Sequence, residues 1–367
     1  MKYFIIAGEA SGDLHGSRLV ARLKELDQAA DIKAWGGDLM SAAGADILKH
    51  YRELAFMGFV EVIFNIRTIL KNFKVCKNQI ESFKPDAIIF IDYPGFNLRL
   101  VQWAKSRGFN TFYYISPQLW AWKENRVKHI KSSVDKLFTI LPFENDFYKK
   151  HEVYPEFVGH PLLEIIKDFV PNEQVSQQLK NKQVLALLPG SRKQEVAKML
   201  PVFLDTAGSF PEYTPVIAAA PSLPIGFYSE IIKASKSKSS PIIIQSQTYS
   251  ILNAASFAWV SSGTATLETA LFGVPQIVCY AGNKISYLIA KRLVKIKYIS
   301  LVNLILDKPL LKELIQDEFN TVNLEMETKS LNFKYLKEEY QHLFELLLPD
   351  NASYKVAQSI IKSVLKS

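Results

Sequence analysis

The sequence predicts an α/β protein of two units, each a parallel sheet wound with helices. Three observations predict it. The chain has 367 residues, longer than one ordinary α/β core and suited to two. It opens with a short apolar run, a glycine turn and an amphipathic stretch, the order of a nucleotide-type strand–turn–helix unit. The same alternation restarts at Val184–Leu188, beyond a polar stretch over Glu164–Lys182 that reads as a linker. No repeat beyond that doubling is visible.

In the first half, Lys2–Ala7 reads as a buried parallel strand. Gly8-Glu9-Ala10-Ser11-Gly12-Asp13 follows, then a helix with Leu19, Val20, Leu23 and Leu26 on its apolar side. The turn is not G-x-G-x-x-G, so a dinucleotide site is only weakly indicated. Ile32–Trp35 is the second strand, ending at Gly36-Gly37. Leu54–Lys74 carries large apolar residues on more than one face, followed by Arg67, Lys71 and Lys74. It fits a helix buried beside the sheet, or a surface helix that dips into a bilayer with its cations at lipid phosphates. Ala87–Ile91 is a buried strand delivering Asp92-Tyr93-Pro94-Gly95-Phe96-Asn97 at its C-terminal end, the edge where open α/β sheets hold active sites. Asp92 is there either a general base or the cap of the next helix. The strand Thr111–Ile115 leads into a rigid apolar loop, Ser116–Trp122, with Arg126, Lys128 and Lys131 on the helix after it. Lys136–Leu141 is a strand. Phe157–Pro161 is the last strand and the exit of the first unit, with His160 either a ligand contact or a hinge histidine bonded to backbone.

In the second half, Val184–Leu188 ends at Pro189-Gly190-Ser191-Arg192. A glycine–serine turn followed by arginine suits phosphate or diphosphate. Val216–Ala220, Ile242–Gln245 and Ala254–Val260 continue as strands, with Ser235–Ser240 an exposed loop. The stretch Ser261–Pro275 organises the reading. Its turn, Ser262, Gly263 and Thr264, lets an anion approach the backbone, and the first-turn N–H groups point at it. Glu268 lies one helical turn after Thr264 on the same face. There it could take both hydroxyls of a ribose whose phosphates rest on the helix start, or be a solvated residue of an ordinary capped helix. Gly273 and Pro275 close that helix before the strand Gln276–Tyr280. The basic segment Ala290–Lys297 and Ser300–Asn303 follow, and two terminal helices, Leu331–Leu348 and Tyr354–Leu365, are split by Pro349-Asp350-Asn351.

A net charge of +8 points to an anionic partner: a nucleotide, an anionic membrane surface or a nucleic acid. Without a block of like charges or a zinc-finger, helix-turn-helix or RNP pattern, nucleic acid is the least favoured. Cys76 and Cys279 make no disulfide framework and read as reduced core residues of a cytosolic protein. No signal-peptide pattern follows Met1, and no apolar run approaches the roughly 18 residues of a bilayer span. The six histidines are scattered, with no H-x-x-x-H, C-x-x-C or D-x-D. No metal or other cofactor is expected, and helix N-termini and cations would neutralise any diphosphate.

Gly8–Asp13, Met57-Gly58-Phe59-Val60-Glu61-Val62, Ile91–Asn97, Ser116–Trp122, Leu188–Arg192, Ser262–Glu268, Ala290–Lys295 and Ser300–Asn303 together resemble the lipid-A-disaccharide synthase family, in family order from residue 2 to about 315. One departure is Gly95, where many relatives carry an aspartate; it removes a second carboxylate and leaves Asp92 in place. The resemblance implies the GT-B architecture, two Rossmann-like domains facing each other across a cleft, with C-terminal helices. The domains expected are 1–163 (acceptor and membrane), 164–345 (UDP-sugar) and 346–367, a helix packing back on the N-terminal domain or on a partner subunit.

The resemblance also implies the reaction. UDP-2,3-diacylglucosamine and 2,3-diacylglucosamine 1-phosphate give the β-1′,6-linked disaccharide 1-phosphate and UDP, with inversion. The implied setting is a homodimer, cytoplasmic and peripheral on the inner face of the inner membrane of a Gram-negative bacterium. The residue chemistry agrees: a single displacement needs a base on the acceptor hydroxyl and stabilisation of the leaving diphosphate. Asp92 is the expected base. Gly190, Ser191, Arg192, Ser262, Gly263, Thr264, Glu268 and Asn303 are the expected UDP ligands, with Glu9, Ser11 and Gly12 facing the cleft from the first domain. Phe56, Met57, Phe59, Val62, Ile63 and Ile66 are the expected membrane or acyl contacts. A UDP-N-acetylglucosamine 2-epimerase shares the architecture but needs no lipid acceptor, and the Phe56–Ile66 segment argues against it. A non-catalytic nucleotide-sugar sensor would tolerate loss of Asp92, whose place at a strand end argues for chemistry.

Overall fold

The computed structural model describes residues 1–54, 66–235, 240–282 and 297–366. The chain forms two compact units, Met1–Glu164 with Leu347–Ser367, and Ile165–Leu346.

Seven strands build the sheet of the first unit: β1 Lys2–Ala7, β2 Asp31–Gly36, β3 Asp46–His50, β4 Ala87–Ile91, β5 Thr111–Tyr114, β6 Lys136–Thr139 and β7 Glu156–Phe157. Their order is β3-β2-β1-β4-β5-β6-β7, and every pairing is parallel. Side chains alternate across a strand, and here both sides are covered. Tyr3, Ile5 and Ala7 pack with Leu19, Val20 and Leu23 of the helix Ala10–Leu26. Phe4 and Ile6 pack with Cys76 and Ile80 of the helix Ile66–Phe83 and with Leu100 and Val101 of the helix Pro94–Ser106. Two-sided burial is why the strands read as unbroken apolar runs.

The end of the chain completes this unit. Val356, Ala357 and Ile360 of the helix Ala352–Val364 join the core formed by Leu19 and Leu23. Glu164 accepts from the Ser353 backbone N–H and from its hydroxyl, both at 2.6 Å. The buried His160 donates its backbone N–H to the Leu347 carbonyl and accepts from the Leu162 N–H at Nδ1. Gly159 has φ +86°, and a Cβ there would lie 2.0 Å from the Pro349 carbonyl oxygen, so no larger residue fits the crossing.

The second unit carries β8 Val184–Leu188, β9 Thr214–Ala219, β10 Ile242–Gln245, β11 Ala255–Ser261, β12 Gln276–Tyr280 and β13 Glu313–Ile315, in the order β10-β9-β8-β11-β12-β13. Leu185, Leu187, Phe257 and Trp259 pack with Val196, Met199, Leu200 and Phe203 of the helix Lys193–Ala207. Val184, Ala186, Leu188, Ala258 and Val260 pack with Val175, Leu179, Ile251 and Leu252.

Two sequence expectations are corrected here. Glu164–Lys182 begins where the first unit gives way to the second, but it is more than a linker: it holds the end of the helix Leu162–Lys167 and the helix Glu173–Leu179, whose Val175 and Leu179 are core. Only every third or fourth residue turns inward, so the stretch reads as polar. The loop Ser116–Trp122 contains a helical turn, Leu119–Trp122, that buries Leu119 and Ala121 and leaves Trp122 exposed.

In each sheet the strand order reverses once, between β1 and β4 and between β8 and β11. Ligands of open α/β sheets bind outside the carboxyl ends of the strands at such a point.

Candidate active site

At the first reversal, β4 hands the chain to Asp92 and Tyr93, both left-handed, with φ +42° and +50°. Residues with a Cβ avoid that region unless their surroundings impose it. Here three contacts impose it. The Asn97 side-chain amide donates to the Asp92 carbonyl at 2.8 Å, the Tyr113 hydroxyl donates to the same oxygen at 2.6 Å, and the Tyr93 ring stacks on Phe96. That ring also covers Gly8, where a Cβ would lie 2.4 Å from it.

Burial pushes the Asp92 carboxyl from 3.8 up to about 6, and the Glu9 charge adds to the rise, against a backbone hydrogen bond from Tyr93. A carboxylate so tuned is suited to proton abstraction near neutral pH. The following helix takes Tyr93 as its N-cap, so Asp92 is not the cap.

Glu9 is the exposed N-cap of Ala10–Leu26, with Ser11 exposed in its first turn. Gly12 is buried, and a Cβ there would meet the Ala7 Cβ at 3.0 Å. It is a packing glycine that lets the helix approach β1, not a group facing solvent. Asp13 accepts from the backbone N–H groups of Gly37, Leu39 and Met40 at 2.8–3.1 Å, tying the helix to the loop after β2. The buried Glu144, not foreseen from sequence, accepts from the Ile140 and Leu141 N–H groups and from the Trp120 indole. It anchors the Trp120 turn, and burial pushes its carboxyl up to about 7.

At the second reversal the turns after β8 and β11 enclose a hollow of about 330 Å³ lined by Gly190, Ser191, Ser262, Gly263, Thr264 and Glu268. Gly263 has φ +146° and ψ −160°, a conformation essentially restricted to glycine. It caps the helix Thr264–Leu271, whose first-turn N–H groups are the natural donors to an anion. Gly190 has φ +103° and lies against Glu195. The Ser262 hydroxyl donates to the Ile299 carbonyl at 2.9 Å. Glu268 accepts from the Tyr249 hydroxyl at 2.8 Å.

Two expected ligands stand elsewhere. Arg192 does not line the hollow. Its exposed guanidinium lies 3.5 Å from the Glu195 carboxylate, which does. Asn303 is fully buried; its amide donates to the Leu311 carbonyl and to Glu313, and its oxygen accepts from the Leu311 N–H. It locks the helix Leu301–Leu306 to β13 beside a separate hollow of about 430 Å³. An asparagine two residues inside a helix start cannot be told from a ligand by sequence alone. Glu195 was legible as the i+3 partner of Arg192, whereas Tyr249, 19 residues before Glu268, gave no signal.

Of the expected membrane contacts, Phe56, Met57, Phe59, Val62 and Ile63 lie outside the described residues, and Ile66 is the first residue of the helix Ile66–Phe83. The basic residues 290–296 and loop residues 236–239 also lie outside them. Among the described residues no helix is long and apolar enough to cross a membrane, and no group of three His, Cys, Asp or Glu residues is placed to hold a metal ion. Cys76 and Cys279 are free and buried.

The family model described as lipid-A-disaccharide synthetase matches residues 3–360. A lipid-A-disaccharide synthase of Syntrophus aciditrophicus is 36% identical over 374 residues, covering 99% of this chain and 98% of that relative. Among solved structures, the UDP-GlcNAc 2-epimerase of Neisseria meningitidis bound to UDP-GlcNAc superposes with a TM-score of 0.63 at 13% identity, over all of both chains. The S. aureus MnaA–UDP co-structure superposes with a TM-score of 0.69 at 13% identity, over 100% of this chain and 97% of that one. At such identities the solved structures share the fold alone. That fold, two doubly wound parallel sheets with C-terminal helices, is GT-B.

Proposed function

Because the chain belongs to the lipid-A-disaccharide synthetase family, the glycosyltransferases of lipid A biosynthesis, we propose that it joins UDP-2,3-diacylglucosamine to 2,3-diacylglucosamine 1-phosphate with inversion at the anomeric carbon. The observation that carries the mechanism is Asp92: a carboxyl at the strand-order reversal, clamped in a left-handed conformation and raised to about 6. In the proposed step the acceptor 6-hydroxyl gives its proton to the Asp92 carboxylate. Its oxygen bonds to the anomeric carbon, and the bond from that carbon to the diphosphate breaks, with the electron pair leaving on UDP. Asn97 and Tyr113 hold the base through its carbonyl.

The donor reading rests on the hollow of the second unit. The start of the helix Thr264–Leu271 and the Gly190-Ser191 turn take the diphosphate. Arg192 swings in from Glu195 at the rim, and Glu268 takes the ribose. Residues 1–163 are the acceptor side, with the apolar segment Phe56–Ile66 and Arg67, Lys71 and Lys74 meeting an anionic membrane surface. A homodimer on the cytoplasmic face of the inner membrane fits two acylated substrates. The likeness to epimerases is one of fold and carries no second reading.

The test is incubation with the two purified acylated glucosamines. Release of UDP together with a tetraacyl disaccharide 1-phosphate supports the proposal; UDP release without disaccharide, or epimerised product, overturns it.

A further inference from the structure

We propose that Tyr249 is a positioning residue of the donor site: its hydroxyl fixes Glu268 so that the free carboxylate oxygen meets the ribose hydroxyls, making the site selective for ribose over deoxyribose. The inference rests on the reading of the second-unit hollow as the uridine nucleotide site.

Glu268 lies one turn into the helix Thr264–Leu271 and lines the hollow beside Gly263 and Thr264. A glutamate has three rotatable bonds, and a ribose diol is recognised only if its carboxylate is held in one place. The Tyr249 hydroxyl holds Oε1 at 2.8 Å. Among the described residues Oε2 has no hydrogen-bond partner, so it keeps both lone pairs for hydroxyl donors.

Tyr249 is itself fixed from outside the hollow. Its ring meets Phe169 edge-on at 5.7 Å and Phe272 at 5.2 Å, and those two rings meet each other edge-on at 5.5 Å. Its helix, Thr248–Ala254, is tied down by Ser250, whose hydroxyl oxygen accepts from the Asn172 N–H. Two phenylalanine rings therefore support one tyrosine whose hydroxyl is aimed at one carboxylate oxygen. Mere packing would be served equally by phenylalanine.

The protonation states agree with this role. Burial, reinforced by the Glu268 charge, raises the phenol far above its ordinary value, so it stays a donor. Burial raises the Glu268 carboxyl and the Tyr249 hydrogen bond opposes that rise. Removing the hydroxyl therefore raises Glu268 further, and nucleotide affinity then falls off at a higher pH as the solution is acidified.

The experiment titrates the full-length chain with UDP and with 2′-deoxy-UDP, for the wild type, Tyr249→Phe and Glu268→Gln, across pH 5 to 8. Tyr249→Phe keeps the ring packing and the fold. The expected result is that it weakens UDP more than 2′-deoxy-UDP, narrowing the ratio about fivefold, the worth of one hydrogen bond, and that the acid limb of UDP binding moves to higher pH. Equal weakening of both nucleotides, or none, overturns the proposal. If Glu268→Gln collapses the ratio while Tyr249→Phe leaves it intact, the donor site stands and the role of Tyr249 falls. If Glu268→Gln leaves the ratio unchanged, the donor-site reading itself falls, and the proposal with it.

Discussion

Replacing Asp92 with asparagine should separate turnover from stability in opposite directions. In the folded chain burial holds this carboxyl at about 6 against 3.8 for the free group. A group raised on folding binds its proton more tightly in the native state, so ionising it works against the fold. The penalty is absent below about pH 4, grows as pH rises through 6, and is complete at pH 7.5. The gap is worth up to about 3 kcal/mol. Asparagine keeps the shape and can accept the Tyr93 hydrogen bond without the charge. The variant should therefore unfold at higher denaturant than wild type at pH 7.5, with the advantage closing toward pH 4. Turnover, followed as UDP release, should fall by about 10²–10⁴, the usual share of a general base, while UDP affinity stays near normal. Wild-type turnover should also lose its base as pH falls below about 6. A variant that turns over like wild type, or that is less stable at pH 7.5 with no closing of the difference in acid, would refute the assignment of Asp92 as a buried, ionised base.

Three further outcomes are expected. Arg192→Ala should weaken UDP binding by about 10-fold through loss of a charge-assisted hydrogen bond, with EDTA leaving wild-type activity unchanged; a strict Mg²⁺ requirement would overturn the metal-free account. Replacing Val62, Ile63 and Ile66 with serine should release the protein from anionic liposomes with thermal stability near wild type, since each such side chain contributes about 1.5–3 kcal/mol when buried in the interface; unfolding of the variant would place the segment in the core instead. Asn303→Ala should destabilise the second unit by about 1–3 kcal/mol, because both backbone polar groups of Leu311 lose their partner and Glu313, still held by the Ile299 and Ser300 N–H groups, loses one of its donors, and should leave UDP affinity unchanged in titration.

The sequence alone determined the two-sheet α/β fold and which strand ends matter. Parallel strands covered on both faces run apolar throughout, so β4 and β8 could be read to the residue. Their exits carry glycine, serine and acid residues because the chain must turn there with exposed backbone. A residue's type and its near neighbours suffice for such statements. The tertiary structure alone decided what each exit residue does. Gly12 and Gly8 looked alike in the opening motif, yet one lets a helix approach β1 and the other makes room for the Tyr93 ring. Asn303 looked like a ligand, yet it is consumed by Leu311 and Glu313, and Arg192 stands at the rim beside Glu195, which lines the hollow. The clamp of Tyr113 on Asp92 and that of Tyr249 on Glu268 join residues 21 and 19 positions apart. No periodicity links such pairs. They meet because separate strands and helices end at the same edge of a sheet, and only the folded chain sets that register.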